Sequence, residues 1–429
     1  MYPEYFKIDG KWVLAEESRM DSSVVICDDG HLEVVENRNL KKGDKVILGR
    51  SEKCEEGIYM HCNGFTAEGD EMDDQFVFRQ GRSRETSYAR DYDNLFELLR
   101  HEREHGNIVW VMGPAFSFDY DARAAMQALV ENGYAHGLMA GNALATHDLE
   151  GALLHTALGQ DIYTQKSQPN GHYNHLDVIN KVRRSGSIPQ FIEDYKIDNG
   201  IIYSCVKNNV PFVLTGSIRD DGPMPEVIGD AYKGQSEMRN LVKKSTTVIC
   251  LATMLHTIAT GNMTPSFRVM PDGEIRPVYL YTVDADEFVV NKLLDRGSLS
   301  ATTIVTNVQD FISIVAKGLG EHCFYRSFRV IFRCYGEQNG GGEHHDEHCL
   351  PAASGYGFLH YGDRGAGGGD FGAFDGVRGG GSDHPPAELL NGAALSPAGR
   401  QYPGGFGHLS VGQPGDSHAG RRFGLSVLL

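Results

Sequence analysis

Nowhere in the 429 residues do about 18 apolar side chains run together, so no stretch is suited to cross a membrane as a helix. The opening MYPEYFKIDGKW lacks a basic stretch followed by an apolar one, which argues against a secretory leader. Positive charge is in short supply: 40 Lys plus Arg stand against 57 Asp plus Glu, a formal net charge of -17. Such an excess of acid argues against nucleic acid or an anionic membrane as the main partner. Cysteine is thinly spread. Cys27, Cys54, Cys62, Cys205, Cys250, Cys323, Cys334 and Cys349 form no CxxC pair, the scatter usual for buried, reduced thiols of the cytosol. What is left is an expected soluble cytoplasmic protein with room for two or three domains, or one large domain with additions.

Glycine marks the boundaries. Half of it, 26 of 52 residues, falls in residues 320–429, a stretch with no sustained apolar period. Such a segment cannot bury enough apolar surface to offset its ordering entropy, so it is expected to be a disordered or frameshifted tail. A literal GxGxxG at Gly367, Gly369 and Gly372 lies inside it, with no strand before and no helix after, and is set aside. The GEHHDEHC run there is given no function. At the other end, residues 1–50 alternate apolar and polar around turn signals at Asp9-Gly10, Asp29-Gly30 and Gly43-Asp44, predicting a small antiparallel β unit. The expected domains are thus 1–85, β-rich; 86–319, α/β; and 320–429, the tail.

Between Gly106 and Leu319 the pattern is strand, loop, helix, repeated. Strands are predicted at Asn107–Met112, His136–Ala140, Pro211–Leu214, Thr247–Leu251, Val278–Val283 and Ala301–Val305. Most are continuously apolar, which indicates a parallel sheet covered on both faces. Ligands of such sheets bind beyond the carboxyl ends of the strands, where every polar cluster of this region lies.

Each cluster has two readings. Gly113-Pro114-Ala115 could turn the chain into a helix whose amides face a phosphate, or be an ordinary turn. Asn142 could donate to a cofactor or cap the next helix. Asp284, at a strand end, is where dinucleotide sites hold ribose hydroxyls, and is equally suited to cap a helix; Asn307 occupies the equivalent spot on the last strand. Thr253, Met254, Leu255 and His256 open a helix with amides suited to an anionic group, though His256 could simply be core. In TGSIRDDGP, Arg219 could grip a carboxylate and Asp220 or Asp221 an amine, or the three could form a solvated salt-bridged loop. GHYNH offers His172 and His175 as bases near neutral pH; without a third ligand nearby, metal is not expected.

AGNALATHD, GHYNHLDVINKVRRSGSI, NNVPFVLTGSIRDDGPMPEVIGD, LATMLHTIATGNMTP and VNKLLDRGSLSATTIVTNVQDF together resemble the archaeal-type ornithine cyclodeaminases. The same module forms the C-terminal part of cyanobacterial arginine dihydrolase/ornithine cyclodeaminases, and carries the conserved region named after lysine-ketoglutarate reductase and saccharopine dehydrogenase. The resemblance covers roughly residues 5–319. It implies a Rossmann-like, NAD-binding sheet of the deoxyhypusine-synthase type. It also implies that Asn142, Ala143, Asp221, Thr253, Met254, Leu255, His256, Asp284, Asn307 and Val308 contact NAD. Departures are Asn307, often Asp in relatives; Ser22, where the pattern usually has Cys; and an α/β segment that relatives carry before the region near Tyr5.

The implied activity is an ammonia-lyase of arginine and ornithine metabolism, making proline from ornithine in a homo-oligomeric enzyme. Hydride leaves Cα for NAD and returns, so the cofactor is regenerated. The protein must supply a carboxylate grip, expected at Arg219; amine contacts, at Asp220 or Asp221; and proton transfer, at His172 or His175. Alternatives are a net dehydrogenase or transferase on another basic amino acid, or an NAD-binding module without catalysis.

Overall fold

The structure is a computed structural model. It describes residues 2–62, 65, 83, 85–220, 222–293, 300–320 and 427–428. These belong to one compact unit spanning residues 1–340 and 422–429. The expected tail therefore lies outside the described residues, apart from the short strand Val427–Leu428.

A six-stranded parallel sheet forms the centre. Its strands are β1 (Ile108–Met112), β2 (Gly137–Gly141), β3 (Phe212–Thr215), β4 (Thr247–Leu251), β5 (Tyr279–Asp284) and β6 (Ser300–Val305). Their spatial order is β3-β2-β1-β4-β5-β6, all neighbours parallel, which is the doubly wound Rossmann order. Every strand expected from the sequence is present, with ends shifted by one residue at most.

The continuous apolar runs are explained by burial on two faces. All five residues of β1 and all five of β4 are buried. Alternation along β1 sends Ile108, Trp110 and Met112 into one core cluster and Val109 and Val111 into the other. The first contains Leu95 and Leu99 of α1 (Ala89–His105), Met126 of α2 (Tyr120–Glu131) and Phe311 of α10 (Val308–Leu319). The second contains Met238 and Val242 of α7 (Ala231–Val242) and Met263 of α8 (Met254–Met263). Trp110 is fully buried, and its indole Nε1 donates to the Tyr134 carbonyl at 2.8 Å. Burying a side chain of this kind contributes roughly 2–3 kcal/mol.

The connection from β2 to β3 is much longer than the others. It carries α3 (Asn142–Leu154), a two-stranded hairpin (Thr156–Ala157 with Gln160–Asp161), α4 (Asn174–Ser185), α5 (Ile188–Asp194) and α6 (Ile201–Lys207). A last helix, α9 (Glu287–Leu293), links β5 towards β6.

The N-terminal β unit has the expected hairpins. Glu4–Ile8 pairs with Lys11–Leu14 and Ile58–Met60; Ser22–Ile26 pairs with Leu32–Glu36 and Lys45–Ile47, and Val427–Leu428 adds to the last. Asp9 and Gly10 both take positive φ, 48° and 83°, the conformation a two-residue hairpin turn demands. Glu36 ties this unit to α7, accepting from Arg19 Nε at 2.8 Å and pairing with Arg239 at 2.5 Å. Ser22 uses its hydroxyl locally, donating to the Arg19 carbonyl. Among the described cysteines none is bonded to another, as expected. Only Cys205 and Cys250 are buried; Cys27 is half-buried, and Cys54 and Cys62 are exposed, because the last two sit in polar turns of the small β unit. No described helix is long and apolar enough to cross a membrane.

Candidate functional site

Strand register builds the site. Thr215 pairs with Gly141, Met112 with both Ala140 and Leu251, Leu251 with Val283, and Asp284 with Val305. Thr215, Gly141, Gly113, Ala252, Asp284 and Val305 therefore form one row along the carboxyl edge. At about 4.8 Å per strand the row is about 24 Å long. The chain leaves β1 towards β2 on one side and resumes at β4 on the other, so the switch point of the sheet falls between Gly113 and Ala252.

The chain leaving β4 crosses the ends of β1, β2 and β3. A Cβ on Gly113 would lie 2.0 Å from the Ala252 carbonyl oxygen, so only glycine permits this approach. Ala252 itself holds φ at 49°, the left-handed region that non-glycine residues rarely occupy. Further on, His256 brings Cε1 to 3.3 Å from where a Gly141 Cβ would stand, and Nε2 to 3.4 Å from Thr215 Oγ1. Burial pushes the His256 imidazole below its ordinary value, favouring the neutral ring.

The two helices flanking the switch point have free amino ends. α3 starts after Gly141 and α8 after Thr253, and neither has a side-chain cap. Among the other described helices α2, α5, α7 and α10 are capped by Asp119, Ser187, Asp230 and Asn307, while α1, α4 and α6 also lack a side-chain cap. The first amides of α3 and α8 are thus available to an anion, which the helix dipole favours. Met254 and Leu255, at the start of α8, are 41% and 72% exposed, so this end is open. A dinucleotide phosphate fits such an edge, with Gly113 and Gly141 leaving room for the backbone. The turn at Gly113 leads into a short 3-10 helix, Pro114–Phe118, not an α-helix, so the α-helical amino ends at this edge are those of α3 and α8.

Asn142 is the first residue of α3, not its cap. Its Oδ1 accepts from the Met224 amide at 3.2 Å, linking α3 to the loop after β3, and Ala143 follows it. Asp284 does not cap α9; Asp286 accepts from the Phe288 amide in that role, and Asp284 Oδ1 accepts from the Asp286 amide. Asn307 does cap α10, taking the Gln309 and Asp310 amides, with Val308 buried beside it. In the loop after β3, Asp220 accepts from the Ser217 amide at 2.8 Å and closes a tight turn, while the Arg219 side chain is exposed. Asp221 lies outside the described residues. His172 is exposed, its ring 4.0 Å from that of Tyr173; His175 is on α4.

Residues 94–315 match the model of the arginine dihydrolase ArgZ-like, C-terminal, Rossmann-fold family. The chain belongs to this ArgZ-like family. It is 40% identical over 323 residues to an ornithine cyclodeaminase of Methanocaldococcus jannaschii, covering 73% of this chain and 72% of that one. It is 35% identical to the bifunctional arginine dihydrolase/ornithine cyclodeaminase ArgZ of Synechocystis sp., covering 74% of this chain but 44% of ArgZ. The crystal structure of a conserved LOR/SDH protein from Methanococcus maripaludis S2 superposes with a TM-score of 0.67 at 35% identity. It covers 74% of this chain and 91% of that one.

In this ArgZ-like chain, α3 carries polar residues that the sequence reading passed over. Asp148 is fully buried and accepts from Arg123 Nε at 2.8 Å and from the Ile201 and Ile202 amides, so it holds α2 and the start of α6 together. His147 and Glu150, one turn apart, bond to each other at 2.8 Å. Their signal in the sequence is the spacing HDLE inside a helix otherwise made of small and apolar residues.

Proposed function

We propose that the protein is an ornithine cyclodeaminase, converting L-ornithine to L-proline and ammonia with NAD as cofactor. The observation that carries this reading is the row of strand ends at the switch point, with uncapped α3 and α8 facing it. Family membership supplies the substrate class, since the relative from Methanocaldococcus jannaschii bears that activity in its name. NAD, when bound, supplies a temporary acceptor for the hydride of the substrate Cα.

The chain's own residues bind and orient. Thr253, Met254, Leu255 and His256, with Asn142 and Ala143, hold the phosphate and nicotinamide side. Asp284, Asn307 and Val308 hold the adenosine side, where a carboxylate at a strand end suits ribose hydroxyls. Asp221 adds a contact from the loop after β3. Arg219, exposed in that loop, grips the substrate carboxylate, and Asp220 and Asp221 receive its amines. His172 and His175 are the histidines that the sequence offered for proton transfer, and of the two only His175 has a buried ring nitrogen, Nδ1, without a partner among the described residues. The enzyme works in the cytoplasm as a homo-oligomer.

Incubation of the full chain with ornithine and a trace of NAD tests the proposal. Proline and ammonia should appear in equal amounts, far exceeding the NAD supplied, with no build-up of NADH. NADH rising in step with substrate loss would indicate a net dehydrogenase, and NAD binding without ammonia release a non-catalytic module; either overturns the proposal.

A further inference from the structure

We infer that His147 is the proton-transfer group of this site and that Glu150 is its positioning residue. The inference rests on the cyclodeaminase reading, but its structural part stands separately.

Glu150 is fully buried, and Thr156 and Gly159 donate to it. Its Oε1 accepts from the Thr156 hydroxyl at 2.7 Å and the Gly159 amide at 3.4 Å; Oε2 faces His147 Nδ1 at 2.8 Å. The direction of the chain is fixed. Asn174 Nδ2 can only donate, and it donates to Thr156 Oγ1 at 2.8 Å, so the threonine proton must point to Glu150. Both fixed donors lie on Oε1, and an ionised carboxylate can only accept, so Oε2 takes its hydrogen bond from His147 Nδ1. His147 Nδ1 therefore carries its hydrogen, and in the neutral ring Nε2 keeps its lone pair. This is the arrangement in which a carboxylate makes an imidazole into an oriented base.

Position agrees with that role. His147 is 6% exposed and sits on α3, whose first residue, Asn142, lies at the carboxyl edge of the sheet. Its ring packs edge-on to Phe118, at the end of the segment leaving β1, with centroids 5.5 Å apart. His175 of α4 brings a second ring to 6.0 Å, and its Nδ1 is buried with no hydrogen-bond partner among the described residues. A buried ring nitrogen left unpaired is costly, and a bound amine would satisfy it. His172 shares none of these features.

The step is a proton transfer alone. One N–H bond of the substrate α-ammonium breaks, its electron pair stays on nitrogen, and the proton passes to His147 Nε2. The imidazolium returns it to the departing amine nitrogen, whose bond to carbon then breaks with the electron pair going to nitrogen, so ammonia leaves and the ring ends each cycle as it began.

Glu150→Gln provides the sharpest test. The two donors at Oε1 hold the amide oxygen there, turning the NH2 towards His147 Nδ1 and moving the ring hydrogen to Nε2. The full-chain variant should lose on the order of 10³-fold in kcat. NAD affinity, thermal stability and KM for ornithine should stay near wild type. His147→Ala should be equally slow and regain activity with added imidazole. Nitrogen-15 NMR of the ring should show protonated Nδ1 in the wild type and protonated Nε2 in the Glu150→Gln variant. A Glu150→Gln enzyme within a few-fold of wild type overturns the inference, as does activity loss accompanied by lost NAD affinity or stability. If the wild type itself makes no proline, the activity reading fails, while the NMR result still decides the tautomer.

Discussion

Replacing Gly113 with Ala isolates the closest backbone approach at the switch point. Gly113 has φ -82° and ψ 165°, values that alanine adopts freely. The substitution alone would therefore stabilise by about 0.5–1 kcal/mol through the unfolded chain. Against this stands a Cβ 2.0 Å from the Ala252 carbonyl oxygen and 2.8 Å from its carbon. Those atoms cannot easily retreat. The Gly113 amide bonds the Leu251 carbonyl at 2.8 Å, and the Ala252 amide bonds the Val283 carbonyl at 3.0 Å, pinning this end of β4 between two strands. Relief requires β1 and β4 to part, at a cost of about 1–3 kcal/mol for overpacking and about 1 kcal/mol for a weakened hydrogen bond. The net loss should be about 2 kcal/mol, or a Tm lower by roughly 4 °C. NAD affinity, measured by calorimetry, should fall by about tenfold or more, since the widened gap lies at the proposed cofactor site. Gly141→Ala is the control: its Cβ meets only the tip of the His256 ring, at 3.3 Å, which can give way. It should cost less than about 1 kcal/mol. Denaturant unfolding showing Gly113→Ala as stable as wild type, with unchanged NAD binding, would refute the reasoning.

Three further outcomes follow from the structure. Asp284→Ala should raise the Kd for NAD by about 10- to 100-fold, the worth of a hydrogen bond to a charged group, with Tm nearly unchanged; calorimetry and thermal melts check this. Glu102→Gln should destabilise by about 3 kcal/mol in denaturant yet leave kcat intact, because the buried carboxylate pairs with Arg276 and Thr246 at the opposite end of β4. Stability should also fall as pH drops below about 6.5. Burial holds the His136 and His256 rings below that ordinary value, so the unfolded chain takes up their protons first. His136 Nδ1 accepts the Ile108 amide at 2.9 Å, a bond that protonation removes, and His136→Gln should flatten this slope in melts taken across pH.

Two-sided burial made the sheet legible. A strand such as IVWVM, apolar at every position, has few other places to be, and the turn signals that follow each strand fixed the ends. The clusters at those ends were legible as a group for the same reason. Their individual roles were not: Asn142 reads either as a cofactor donor or as a cap in the sequence, and only the fold shows its side-chain oxygen turned to Met224. Nothing in the local spacing distinguishes Asp284 from Asp286 as the cap of α9. The helices α4 to α6 were missed because they are short and interrupted by turns, and their burial depends on α2 and α3. His147, Glu150 and Asp148 were missed for a different reason. α3 is buried on nearly all sides, so it has no polar stripe against which a chemically employed residue would stand out.

The long excursion between the second and third strands has a consequence for how this chemistry can change. His147, Glu150, Thr156, Asn174 and His175 all belong to that single span, whereas the proposed coenzyme contacts after Asn142 and Ala143 come from loops later in the chain. Alterations confined to one continuous stretch can therefore retune which molecule is deprotonated, while the grip on the dinucleotide stays as it was.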